Sequence, residues 1–250
     1  MILYEHPFNE RVRTFLRLEH LLTRFTNLIN RDDPIDHHFA FSTLFEIVEA
    51  GGRSDLKSDI LKDLERYKQQ FLAFRGNPSV SEEALNEILS QIDEAFTGLN
   101  ILGNRIGQCV SDSEWLSALR NRLAIPGGTC NFDLPAYFAW QHRPVAIRRD
   151  DILRWTESIK PLFKCIHLLL KLLRDGGHRQ KVMATKGQLQ QSLPQGRYQL
   201  MRVFINPELN LVPEISGNRM MVWVRMMNQD SDCRLQNSTE DASFEIELCS

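Results

Sequence analysis

An α+β fold, helices first and strands second, is predicted by three observations. Apolar residues recur at spacings of three and four as far as Gly176, the period drops to two beyond Gly177, and glycine, proline and capping residues stand where helices should start or stop. Residues 1–176 therefore read as a mainly helical domain, and 177–250 as a small antiparallel β domain with an acidic C-terminal segment.

The first helix is expected within "NERVRTFLRLEHLLTRFTNLINR" (9–31), with Phe15, Leu18, Leu22, Phe25 and Ile29 as its buried stripe. "NRDDP" breaks the chain, and "FAFSTLFEIVEAGG" ends in Gly51 and Gly52, a pair that suits a left-handed helix stop. Leu56, Ile60, Leu64, Tyr67, Phe71 and Phe74 mark an amphipathic helix that closes at Gly76 and Pro78. Ser79, with Glu82 three residues on, resembles a capping box for the acidic helix "EEALNEILSQIDEAF". "SDSEWLSALRNRL" is a short helix halted by "PGG" at 126–128. In "CNFDLPAYFAWQHRP" the aromatics could line a strand, but Asp133 before Leu134 and Pro135 looks like an N-cap with proline in the first turn, so a short helix is expected. The segment 145–177 reads as one helix broken near Pro161 and a second, mostly buried one ending at Gly176 and Gly177.

Past that point "RYQLMRVFIN", "MMVWVRMM" and "ASFEIELC" alternate, and with "RQKVMATKGQLQQ" they predict a small antiparallel sheet. Turns are expected at "NPELN" and "SGNR", and a long polar loop at "NQDSDCRLQNSTED".

The formal net charge of −2 conceals an asymmetry: residues 226–250 carry a local −5, which leaves +3 on the rest. That field argues weakly for an anionic partner and is too small for generic nucleic-acid binding. Five scattered cysteines without a CxxC pair, and no leader-like segment, suit a reducing cytoplasm. The longest apolar stretch, "CIHLLLKLL", is interrupted by His167 and Lys171 and is far too short for a bilayer.

Catalytic signatures are missing: no GxxxxGK[ST], GxGxxG after a strand, HExxH or GxSxG occurs. "AIPGGTC" has no lysine to reach a phosphate and reads as a helix stop. His37 and His38 are adjacent and cannot face one way on a helix, so they read as surface or capping residues rather than metal ligands. His167 near Cys165 reads as a core histidine rather than half of a Cys/His pair, because no third orienting group is visible. No catalytic residue, metal or cofactor is expected.

Two surfaces stand out instead. Arg13, Arg17, His20, Arg24 and Arg31 fall within roughly 60° of one another at 100° per residue. Glu10 and Glu19 lie off that stripe, so an external anionic partner would supply the missing counter-charge. The second surface is the strand at 219–227, where Met220, Val222, Val224 and Met226 form the core side and Arg219, Met221, Trp223, Arg225 and Met227 the other. Arginines flanking a tryptophan suit a binding surface, yet Glu245 and Glu247 on a neighbouring strand could neutralise them, and both readings stand.

"EHPFNERVRTFLRLEHL", "RIGQ", "RLAIPGGTCNFDLPAYFAW", "PEISGNRMMVWVR" and "FEIELC", in that order, resemble the ZapD family of bacterial cell-division proteins. The resemblance implies a non-enzymatic, cytoplasmic homodimer at the mid-cell division ring. Such a dimer binds the C-terminal tail of FtsZ through basic residues and bundles FtsZ protofilaments. Carried over residue by residue, it points to Arg17, Arg53, Arg219 and Arg225, to which the residue patterns add Arg13, Arg24 and Trp223. The resemblance also implies a further basic residue at position 221, and there this chain departs from it with Met221. The rival reading is a nucleic-acid-binding adaptor using the same arginine stripe.

Overall fold

A computed structural model describes all residues except 53–54, 103–105, 194–197 and 219. Its order is a strand, nine helices and then seven strands among the described residues, which is an α+β fold with the helices first. The chain divides into two compact units, Leu16–Leu169 and Met1–Phe15 together with Leu170–Ser250.

Helices α1 (Glu10–Ile29), α2 (Pro34–Gly51), α3 (Leu56–Leu72), α4 (Glu82–Ile101), α5 (Gln108–Asp112), α6 (Glu114–Leu123), α7 (Pro135–Gln141), α8 (Val145–Thr156) and α9 (Lys160–Asp175) follow the 3.6-residue pattern. Phe15, Leu18, Leu22, Phe25 and Ile29 are all buried, as the stripe on α1 requires. On α3, Leu56, Ile60, Leu64 and Tyr67 are buried but Phe74 is exposed, because the helix ends at Leu72. The break near Pro161 is a single 3₁₀ turn, Glu157–Ile159, and the proline then sits in the first turn of α9, where its missing N–H costs nothing.

Several helix ends differ from expectation. Gly52 is right-handed (φ −76°), its N–H donating to the Val48 carbonyl at 2.8 Å, so the glycine pair makes no left-handed stop. The cap of α4 is Ser81, whose hydroxyl accepts from Ala84 N at 3.3 Å; the Ser79 amide is engaged by Asn77, and the Glu82 carboxylate accepts from Gly76 N instead. Leu134, not Asp133, is the N-cap of α7, because the Asp133 carboxylate is drawn 3.4 Å from Arg122. The left-handed residue that matters is Gly107 (φ +78°) before α5, where a Cβ would stand 2.8 Å from a Val48 methyl.

In the core of this unit Phe41, Trp115, Tyr137, Trp140 and Trp155 form one aromatic cluster, with Trp115 and Trp155 stacked at 4.7 Å. The paired histidines are part of it rather than surface groups. His37 is fully buried, and the His38 ring nitrogen meets the Tyr137 hydroxyl at 2.9 Å. His167, by contrast, is exposed, while Cys165 is buried with its thiol donating to the Ala95 carbonyl at 3.3 Å. Their places in the helix are the reverse of a core histidine beside a reactive thiol.

The other unit holds two antiparallel sheets rather than one. Strands β1 (Ile2–Pro7), β2 (His178–Ala184), β4 (Leu200–Ile205) and β8 (Ala242–Cys249) give the order β1-β4-β8-β2. Strands β3 (Gln188–Ser192), β5 (Leu211–Gly217) and β6 (Met221–Gln229) give β3-β6-β5, with β7 (Leu235–Asn237) also on β6. Alternation marks which side of a strand is buried but not which strand it pairs with, so one sheet and two could not be told apart. Gly187 (φ +72°) makes the β2–β3 corner possible, since a Cβ there would overlap the Ser238 carbonyl.

Met201, Val203, Ile205, Val222, Val224, Met226, Phe244 and Ile246 build the shared core. Met220 is 61 % exposed because it precedes β6, which corrects its assignment to the core side. Strand β1 lies in the region read as mainly helical, where no strand is expected, and β7 lies inside the stretch read as a polar loop. Across the first sheet Glu5, Arg202, Glu247 and Arg179 are register neighbours of alternating sign. Arg174, at the end of α9, adds a bidentate contact to Glu5 at 2.7–2.9 Å.

Candidate partner-binding surfaces

The arginine stripe exists on α1, but most of it is already paired. Arg13 Nε lies 3.0 Å from Glu10, one turn back; Arg24 donates to the Thr43 hydroxyl at 3.0 Å and to Glu46 at 2.5 Å; Arg31 lies 3.5 Å from Asp36. The expectation that the protein's own acids leave the stripe unclaimed is therefore corrected at these three positions. Two of the acids belong to α2, which a projection of α1 alone cannot show, and the Arg13 side chain is long enough to reach an acid off its own axis line. Arg17 is different. It is exposed, and among the described residues it makes no ion pair or hydrogen bond. His20 beside it is exposed too.

On the strand surface, Trp223 is half-buried and Arg225 exposed. The Arg225 guanidinium lies 3.6 Å from Glu214 on β5, with both side chains more than half exposed (54 % and 57 %), so the contact is weak and screened. Glu245 and Glu247 do not neutralise it; they pair with Arg179 and Arg202 in the other sheet. Arg53 and Arg219 lie outside the described residues.

The end of α1 is held by two arginines that look unremarkable in the sequence. No basic side chain stands in its own last turn, leaving four carbonyls without helical partners. Arg149, from α8, donates to the carbonyls of Ile29 (2.9 Å), Asn30 (3.2 Å) and Arg31 (3.4 Å), and pairs with Asp32 at 2.9 Å. Arg148, only 5 % exposed, donates to the Asp32 carbonyl, to the carbonyls of Gln141 and Arg143 at 2.9 Å each, and to His37 Nδ1 at 3.2 Å. Because Nδ1 accepts, the proton of neutral His37 is on Nε2, which donates to the Arg31 carbonyl at 2.9 Å.

Burial, and then the Arg148 charge, hold the His37 pKa below its ordinary value. Burial lowers those of His38 and His6 as well, helped at His6 by Arg13. A base whose folded pKa is depressed binds fewer protons than the unfolded chain once the pH falls below about 6.5. Stability is thus complete above that value and is lost as the pH falls through the folded pKa values. Melting temperature is expected to fall between pH 7.5 and pH 5, and a His37→Gln chain should show a shallower fall than the native protein.

Burial also raises the Cys165 thiol to about 12, which keeps it protonated and unreactive. Among the described residues no group of three His, Cys, Asp or Glu side chains could hold a metal ion, and no helix is long and apolar enough to cross a membrane. What the surface offers is exposed cationic side chains on a helix and on a sheet. A family model described as cell division protein ZapD matches residues 16–225, from Leu16 in α1 to Arg225 in β6, and so takes in Arg17, Arg24, Trp223 and Arg225. With 210 of the 250 residues matched, this chain belongs to the ZapD family of cell division proteins.

Proposed function

We propose that the protein is a non-enzymatic division factor that binds the C-terminal tail of FtsZ through basic surface residues and, as a homodimer, cross-links FtsZ protofilaments at the mid-cell ring. Membership of a cell-division family carries the reading, and Arg17, exposed and without an internal counter-charge among the described residues, is the group best placed to act in it. A two-fold dimer presents each patch twice, so one particle can hold tails from two filaments. Individual contacts need not be strong, since each further capture between bridged filaments is effectively intramolecular. The pairing of Arg13, Arg24 and Arg31 with internal acids counts against a nucleic-acid adaptor, which would need that charge free.

Sedimentation of FtsZ polymers tests this directly. Added protein should increase the pelleted FtsZ at low salt, with the gain shrinking as salt shortens the Debye length below about 8 Å. FtsZ lacking its tail should show no gain. Equal pellets with and without the tail would overturn tail capture.

A further inference from the structure

Where the end of α1 meets the turn between α7 and α8, a titratable side chain stands inside the joint. His37, near the start of α2, is fully buried. Its Nε2 donates to the Arg31 carbonyl at 2.9 Å and its Nδ1 accepts from Arg148 Nε at 3.2 Å, so both ring nitrogens are used and only the neutral ring fits. The Arg148 guanidinium spans the joint, from the Asp32 carbonyl on one side to those of Gln141 and Arg143, 2.9 Å each, on the other. A proton added at Nδ1 turns that acceptor into a second donor, aimed at the N–H of Arg148, and sets one positive charge against another.

The surrounding charges give no relief. From α8, Arg148 and Arg149 both act on the ring with positive charge. In the turn between α1 and α2, Asp32 is committed to Arg149 at 2.9 Å, Asp33 to the Ile35 amide at 2.8 Å, and Arg31 to Asp36 of α2 at 3.5 Å. From α7 comes the neutral Trp140 ring, 6.3 Å away. Asp151 of α8 is taken by the Trp140 indole N–H at 3.0 Å and by Arg143 and Arg154. His38, next in the chain, is turned to the Tyr137 hydroxyl at 2.9 Å.

We propose that His37 and Arg148 form a proton-operated latch in the helical unit: uptake of one proton by His37 Nδ1 expels the guanidinium, parts the α7–α8 turn from the end of α1, and opens this joint while the other helices stay folded. Opening costs little on the outer side, where Asn30, Arg31, Asp32 and Asp33 are already exposed and water can take over the carbonyls that Arg148 leaves. In the open joint His37 is an ordinary imidazole with a pKa near 6.5. In the closed joint burial, and then Arg148, hold it lower. The joint is therefore fully latched above about pH 6.5, and each pH unit below that, down to the closed-state value, favours the open form by up to about tenfold. The acid response is thus placed at the end of α1, the helix that carries Arg17, rather than spread over the fold.

Hydrogen exchange followed by mass spectrometry on the full chain, at pH 7.5 and 5.5 and well below the melting temperature, tests this. After correction for the intrinsic effect of pH, protection of segments 29–37 and 141–148 should fall about five- to tenfold in the native protein, whereas α3 and α4 keep theirs within about twofold. His37→Gln, whose amide does not titrate, should hold protection of both segments level across the two pH values. His38→Gln should respond as the native chain does. An equal fall in all helices, or no fall at the joint, would overturn the latch from the native chain alone, whether or not either variant folds. So would a His37→Gln joint that still loosens in acid, or a His38→Gln joint that no longer does, the latter by assigning the proton to His38.

Discussion

Arg148→Ala is expected to lower the stability of the helical unit by about 3–5 kcal/mol, in the range found when one member of a buried polar network is removed. The guanidinium serves the carbonyls of Asp32, Gln141 and Arg143 and the Nδ1 of His37, so truncation leaves four acceptors without their donor in a site that is almost closed to water. It also opens a void beside His37, whose ring lies 6.3 Å from that of Trp140. A melting temperature lower by roughly 10 °C should be seen by circular dichroism, given about 2–4 °C per kcal/mol at this chain length. Lysine is not expected to rescue, because a single ammonium cannot reach in the three directions that the planar fork spans. A variant that melts within 2–3 °C of the native protein would show the network to be dispensable.

Arg17→Glu is expected to do the opposite: no change in stability beyond about 0.5 kcal/mol, as for other exposed positions without partners, and at least ~10-fold weaker capture of FtsZ tails. Arg17 is exposed and owes no hydrogen bond to its own fold among the described residues, so charge reversal repels an acidic ligand without disturbing packing. Arg24→Glu is the control that separates the two roles. It breaks the ties to Thr43 and Glu46 and sets two acids against each other, so it should lose stability by about 1 kcal/mol or more along with any binding. Sedimentation with FtsZ, read beside a thermal melt for each variant, distinguishes them. If Arg17→Glu bundles FtsZ as well as the native chain, the stripe is not the capture surface.

The elements that could be read from the sequence are those whose burial repeats within a single element. The stripe on α1, the alternation in β6 and the Phe244, Ile246, Leu248 face of β8 are local patterns, and each is buried as its period demands. What escaped depends on residues far apart in the chain. "ILYEHP" has no alternation, and it becomes a strand because β4, nearly two hundred residues later, lies alongside it. The counter-ions of Arg24 and Arg31 come from α2, and that of Arg225 comes from β5 rather than β8. Arg148 and Arg149 look like two solvated charges at the start of a helix. Their work is done on carbonyl oxygens, which carry no residue identity and therefore leave no motif. A hint was available all the same: α1 ends without a basic residue in its last turn, so something else had to satisfy its carbonyls.

Strand β8 lies between β4 and β2, and β4 lies between β1 and β8. Synthesis on the ribosome therefore delivers the members of this sheet in an order unlike their order in space. One of its two edge strands, β1, is made first and waits for a neighbour, β4, that emerges only after all nine described helices. Even then the sheet remains two separate pieces until Ala242–Cys249 slides between them as a keystone. A chain stalled short of Ala242 would carry both open edges, and this makes the last strand the step at which chaperones and proteases would compete with completion of the fold.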